Sequence, residues 1–222
     1  LSGSTILANT LAMSSAHGMP AQVIARFVDG SVNRLLGLDT RREASLALVP
    51  LGHAVGAEAG LAPYIGPLSL NIVPISDDEV EFAAIGEMHE TSSLGNKEEV
   101  ATWRGGAQAV SLAHPSGHLV PLDAYPDDQM AHDPIESVIT RRGSTRRFSR
   151  ESITFRQLST ILERATQGIP ADFLGPARET INSIYLIVNA VDGLPCGSYV
   201  FHRSRQGLEL LEEGSSGFRA DP

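Results

Sequence analysis

Five arginines fall within the eleven residues from Thr140 to Arg150: Arg141, Arg142, Arg146, Arg147 and Arg150. Thr140, Ser144, Thr145 and Ser149 stand among them, and Val138-Ile139 precede them. A guanidinium group is planar and permanently charged, and its paired N–H donors match the oxygens of a phosphate or carboxylate. Serine and threonine hydroxyls add further donors. The chemistry on offer is a grip on an anion, and no catalytic acid or base is assigned. A solvated basic turn has the same composition, so the surrounding chain must decide between the two.

The distribution of charge narrows the choice of anion. The 222 residues carry a formal net charge of −9. Residues 1–60 hold four basic and four acidic side chains, residues 61–136 two and thirteen, and residues 137–222 eleven and nine. An acidic surface repels a phosphate polymer, so the basic cluster is expected to meet one small anion and not nucleic acid. All but one of the seventeen basic residues are arginine, which supports no site by itself. The single cysteine, Cys196, excludes an internal disulfide and fits a reducing compartment, so the expected location is the cytoplasm. No apolar run approaches the eighteen or so residues of a membrane span.

Other groupings propose less. His114 and His118 are four apart, but Pro115 and Gly117 between them break a helical metal pair. Asp123, Asp127, Asp128, His132 and Asp133 follow no recognisable metal-loop spacing, so no metal site is expected. Gly105-Gly106 lacks the remaining glycines of a dinucleotide fingerprint.

The elements that must position the arginines can be read from spacing. Residues 6–16 predict a largely buried helix, with Ser4 able to cap it and Gly18 and Pro20 ending it. Residues 22–27 read as extended, and a short helix opens at Asp29 and closes at Gly37. Residues 45–51 predict a strand. Seven prolines punctuate residues 61–136, which read as an acidic connector with one short helix opening at Asp77-Asp78-Glu79-Val80 and another at 98–104. A short helix runs from Pro134 to Ile139, directly before the cluster. Thr154-Phe155-Arg156-Gln157 is a capping-box pattern opening a helix with Phe155, Leu158, Leu162 and Ala165 on one face, ended by Gly168. Strands are expected at 184–188, 198–201 and 208–211, with a turn at Asp192-Gly193.

The run Arg-Arg-Gly-Ser-Thr-Arg-Arg-Phe-Ser, from Arg141 to Ser149, resembles the opening motif of the nitroreductase-like flavoproteins, with the SagB-type dehydrogenases as the nearest branch. Those enzymes oxidise azolines to azoles in peptide natural-product maturation. The resemblance implies that Arg142, Ser144 and Arg146 hold the phosphate and ribityl end of FMN, with Arg141 beside them and Phe148 packing behind. Residues 185–189, 193–195 and 197–199 carry the same resemblance, as do residues 32–39, 48–52 and 100–104. Residues 175–182 depart from the family's serine-containing turn, where Thr180, Asn182 or Ser183 would have to substitute. Ala25-Arg26-Phe27 stands where the family has glycines near the flavin ring. There Arg26 is a further cofactor contact or, more simply, a surface arginine. Cys196 occupies a turn position and has no evident base beside it.

The resemblance implies an α+β fold of helices packed on a mainly antiparallel sheet. Residues 1–60 match the C-terminal part of one nitroreductase-like module, residues 61–136 form an acidic Pro/Gly-rich connector, and residues 137–222 match the N-terminal part of a second. A domain's end thus precedes a domain's beginning. Either the chain is a fragment of a tandem two-module protein, as its start at Leu1 and stop at Pro222 suggest, or its ends assemble together. The implied function is FMN-dependent hydride transfer on a small-molecule or peptide substrate, in a homodimer or an intramolecular two-module dimer. The alternative is a non-catalytic degenerate module that scaffolds a peptide-modifying complex. Three charge-assisted hydrogen bonds at about 1.5–3 kcal/mol each barely offset an association cost of about 4–15 kcal/mol. Tight flavin binding therefore needs contacts beyond the phosphate grip.

Overall fold

The computed structural model describes residues 3–52, 66–71, 73, 80, 82–103, 115–147, 149, 151–174 and 182–214. The expected helix start at 77–80, Gly105-Gly106, His114, Phe148 and the turn at 175–181 lie wholly or mostly outside the described residues. The chain divides into two compact units. One comprises Leu1–Ala107 and Pro170–Phe173, the other Gln108–Ile169 and Leu174–Pro222.

The second unit holds the sheet. Strand β1 (Leu119–Pro121), β3 (Ile184–Val188), β5 (Gly197–His202) and β6 (Gly207–Glu213) form one antiparallel sheet in the order β1-β6-β5-β3. Strands β2 (Ile153–Thr154) and β4 (Val191–Asp192) make a short parallel pair. Helix α6 (Phe155–Ala165) begins where the capping box placed it. Its apolar residues recur every three or four positions, so they share a face, and Leu158 and Leu162 meet Val188, Leu194, Tyr199, Phe201 and Leu208. Ile161, off that stripe, is exposed. The helix stops at Ala165, before the glycine expected to end it, and the Thr166 hydroxyl donates to the Leu162 carbonyl at its last turn (2.6 Å).

Alternation fixes what each strand buries. The register sets Phe201 opposite Leu208 and Ile184, and Tyr199 opposite Leu186, all on the face toward α6. Tyr199, Phe201 and Leu208 are essentially inaccessible. Burying an apolar side chain of this size contributes about 1.5–3 kcal/mol. Tyr185 and Ile187 point to the opposite face and are exposed. Val200, His202 and Glu209 share that face yet are buried.

Residues 119–121 lie inside the stretch read as a connector, and here they pair with β6 as Leu119↔Glu209, Val120↔Leu208 and Pro121↔Gly207. Val120 and Leu122 pack against the core. The segment also carries a single 3-10 turn, Asp127–Gln129, and helix α5 (Ile135–Arg141).

The first unit is helical. It contains α1 (Gly3–Ala16), α2 (Asp29–Leu36), α3 (Ala83–Ser92) and α4 (Lys97–Trp103). Ser4 lies inside α1 and does not precede it. Helix α2 ends at Gly37, whose φ of 69° is the left-handed conformation that glycine adopts without penalty. The Gly37 and Leu38 amides return to the Arg34 and Asn33 carbonyls. The strand expected at 45–51 is reduced to two bridges, Leu48↔Ile24 and Leu51↔Ala21. Ile24 exchanges both bonds with Leu48, while on the other side the Val23 amide donates to Pro170 and Val23 pairs with Ala171. The bridges to residues 48 and 51 stay isolated and do not extend into a ladder.

Candidate functional site

The arginine cluster hangs between α5 and β2. Helix α5 ends at Arg141, with Arg142 as its extended C-cap. Cations at a helix C-terminus complement its partial negative charge, so part of this basic character serves the helix. At that position the cluster follows the carbonyl end of α5, so its own side chains are the donors it offers.

Arg141, Arg142, Ser144, Arg146 and Arg147 are all exposed. Arg141 donates to the Asp133 carboxylate at 2.8 Å and is partly committed there. The side chains of Arg142, Ser144 and Arg146 make no hydrogen bond or ion pair among the described residues. Their donors face water and remain available to an anion. The donor set suits the phosphate of a nucleotide-like tail, and nothing described around it forms a cradle for a flat ring.

The remaining sequence candidates are tied into the structure in other ways. Arg26 is not a surface arginine: its Nε lies 3.1 Å from Asp172 Oδ2, and the two side chains are 14% and 11% exposed. The Ala25 and Arg26 amides donate to the same carboxylate at 2.9 and 3.2 Å. The Cys196 thiol donates to the Asn189 carbonyl. Asn182 is exposed and Ser183 half-buried, while Thr180 lies outside the described residues. No group of three or more His, Cys, Asp or Glu among the described residues could hold a metal ion.

One polar cluster escaped the reading of the sequence. Glu209 Oε1 accepts from the Ser116 amide (2.8 Å), the Ser116 hydroxyl (3.1 Å) and the Gly117 amide (2.7 Å). Its Oε2 lies 2.7 Å from His202 Nε2. Both side chains are buried. The Gly117 amide above all, then His202 and Ser116, hold the Glu209 carboxyl below the usual range, against the opposing effect of burial. The sequence offers little signal for it, since His202 and Glu209 alternate with the core-facing Phe201 and Leu208 and so read as outward positions.

The architecture has a counterpart among solved structures. A structure from Anabaena variabilis ATCC 29413, described as a "putative nitroreductase", superposes over 92% of this chain with a TM-score of 0.54 at 16% identity. The fold is nitroreductase-like. The chain spans 42% of the length of that nitroreductase-like structure. No family model matches the sequence, and no curated protein matches it. No described helix is long and apolar enough to cross a membrane.

Proposed function

We propose that this chain is part of an FMN-dependent oxidoreductase of the SagB type, gripping the flavin's phosphate tail through Arg142, Ser144 and Arg146, with Arg141 beside them. The observation that carries this reading is a nitroreductase-like fold bearing exposed arginines with no ion-pair partner among the described residues, at Arg142 and Arg146. FMN, when bound, supplies the hydride chemistry, and the protein supplies binding and orientation. The substrate is a small molecule or peptide, with azoline oxidation as the reaction implied by the SagB branch, and the setting is cytoplasmic.

In this reading residues 1–60 close one module and residues 137–222 open the next. Residues 115–121 belong with the sheet of the second, since β1 pairs with β6. Two observations support a tandem or dimeric parent. The matched structure is more than twice as long as this chain, since 92% of one corresponds to 42% of the other. The first unit also leaves Ile6, Phe82, Ile85, Met88 and Trp103 exposed, while its buried apolar residues among those described are Val23 and Ala171. A second module packed on this unit would bury apolar side chains of this kind.

Purified chain incubated with FMN is the test. Retained flavin absorbance after gel filtration, reduced in Arg142→Ala and Arg146→Ala, supports the reading. A colourless protein that takes up no FMN favours the second reading, a non-catalytic module scaffolding a peptide-modifying complex. The open setting of the four residues is the observation on that side, because exposed charges contribute little net binding energy in water.

A further inference from the structure

The Glu209 cluster stands apart from the arginines and takes no part in the flavin reading. Strand β1, at the edge of the sheet, is poorly held by its backbone alone. It is three residues long, and Pro121 has no N–H to give to the ladder. Beyond it, the Leu122 amide bonds to the Gln206 carbonyl at 2.9 Å. What fastens the preceding turn is one carboxylate, with three donors from Ser116 and Gly117 converging on a single oxygen. The fit is close: a Cβ on Gly117 would stand 3.3 Å from Glu209 Oε1. Ser116 and Gly117 are themselves exposed, so the lid over the carboxylate is one layer thick.

We infer that Glu209, backed by His202, is an acid-released clasp that holds residues 116–121 on the edge of β6 and frees that edge while β6, β5 and β3 stay paired. The reason lies in donor and acceptor count. The ionised carboxylate only accepts, which matches the amide and hydroxyl donors on Oε1 and a ring N–H on Oε2. A proton on Oε1 faces three donors. A proton on Oε2 leaves the His202 contact only where Nε2 accepts. Either way the negative charge that gathers the Ser116 and Gly117 donors is lost.

The groups facing Glu209 are few. Strand β5 brings His202, and the lid brings the uncharged Ser116 and Gly117, with His118 next in the chain. Arg203 and Arg205, in the turn between β5 and β6, form no ion pair with it among the described residues. Glu212 and Glu213 lie toward the far end of β6, opposite Ser198 and Gly197. Because the folded carboxyl sits below its ordinary value, its contribution is complete above the unfolded glutamate range and is lost as pH falls through the folded value. The window is therefore acidic.

Amide hydrogen exchange on the full chain, stepped from about pH 7 to about pH 3 and corrected for intrinsic rates, reads this directly. Residues 116–122 are expected to lose protection at a higher pH than residues 197–202. Glu209→Gln is expected to raise exchange in 116–122 about 10-fold or more at neutral pH and to abolish its acid dependence. Should that variant fail to fold, Ser116→Ala serves, and its edge should open at a higher pH than the wild type's. Simultaneous loss of protection in edge and core, or wild-type protection of 116–122 in Glu209→Gln, would overturn the inference. So would an unchanged opening pH in Ser116→Ala.

Discussion

Thr154 and Gln157 cap α6 reciprocally: the Gln157 amide donates to Thr154 Oγ1 (3.2 Å), and the Thr154 amide donates to Gln157 Oε1 (2.9 Å). Two of the helix's otherwise unpartnered N–H groups are satisfied by one pair of side chains. The same threonine ends β2, so the cap also fixes where strand becomes helix. Replacing it by alanine is expected to cost about 1 kcal/mol. Urea unfolding should show a lower midpoint with an unchanged slope, since neither state changes its exposed surface appreciably.

Glycine at the start of β5 is expected to be far less replaceable than glycine at the start of β6. A Cβ on Gly197 would lie 2.3 Å from the Glu212 carbonyl oxygen, and that backbone belongs to the paired strand. A Cβ on Gly207 would meet the Leu119 side chain at 2.7 Å, and that side chain can turn away at the sheet edge. Overpacking against an unyielding neighbour costs about 1–3 kcal/mol. Gly197→Ala should therefore lower the thermal midpoint clearly more than Gly207→Ala, and equal shifts would count against a rigid β5–β6 pair.

What the sequence disclosed depends on whether an element's cause is local. The α6 cap, the β-branched run of β3 and the left-handed Gly37 each carry their reason within a few residues, so spacing sufficed to locate them. Strand β1 has no such local signal: three residues ending in Pro121 become a strand only because β6 and the Glu209 carboxylate hold them. The reverse holds at residues 45–51, whose composition is that of a strand but whose pairing with residues 21–24 is limited to two isolated bridges. Helix α3 buries none of its residues, so apolar spacing gives its bounds no signal. At the candidate site the residue types were legible, but their exposure and the diversion of Arg141 to Asp133 were not. His202 and Glu209, seven positions apart, meet only through the turn at Gln206, where φ is 48°.

Asp172 ties residues 170–173 to residues 21–26. Its carboxylate takes two backbone amides and faces Arg26, and its own amide donates to the Val23 carbonyl at 2.9 Å. Asp172→Ala removes the acceptor and leaves the Ala25 and Arg26 amides and a partly buried guanidinium to find water. Hydrogen bonds to charged groups contribute about 1.5–3 kcal/mol. The expected loss is of that order, with Asp172→Asn milder because an amide oxygen still accepts. Limited proteolysis should show earlier cleavage near residues 166–174 in Asp172→Ala than in the wild type.

The arginine cluster makes a prediction that separates a phosphate grip from general flavin affinity. If Arg142 and Arg146 hold the phosphate, riboflavin, which lacks it, should bind more weakly than FMN to the wild-type chain. Each arginine-to-alanine change should then weaken FMN binding about 10- to 100-fold, the equivalent of one charge-assisted contact. Riboflavin binding should not change in the same variants. Because both side chains are exposed, rising salt should erode the preference for FMN as it screens the pair. Fluorescence titration of the two flavins at low and high ionic strength measures all of these quantities. Equal losses for FMN and riboflavin would place the two arginines in a general structural role, and an FMN preference insensitive to salt would move the phosphate contact to a less exposed part of the chain.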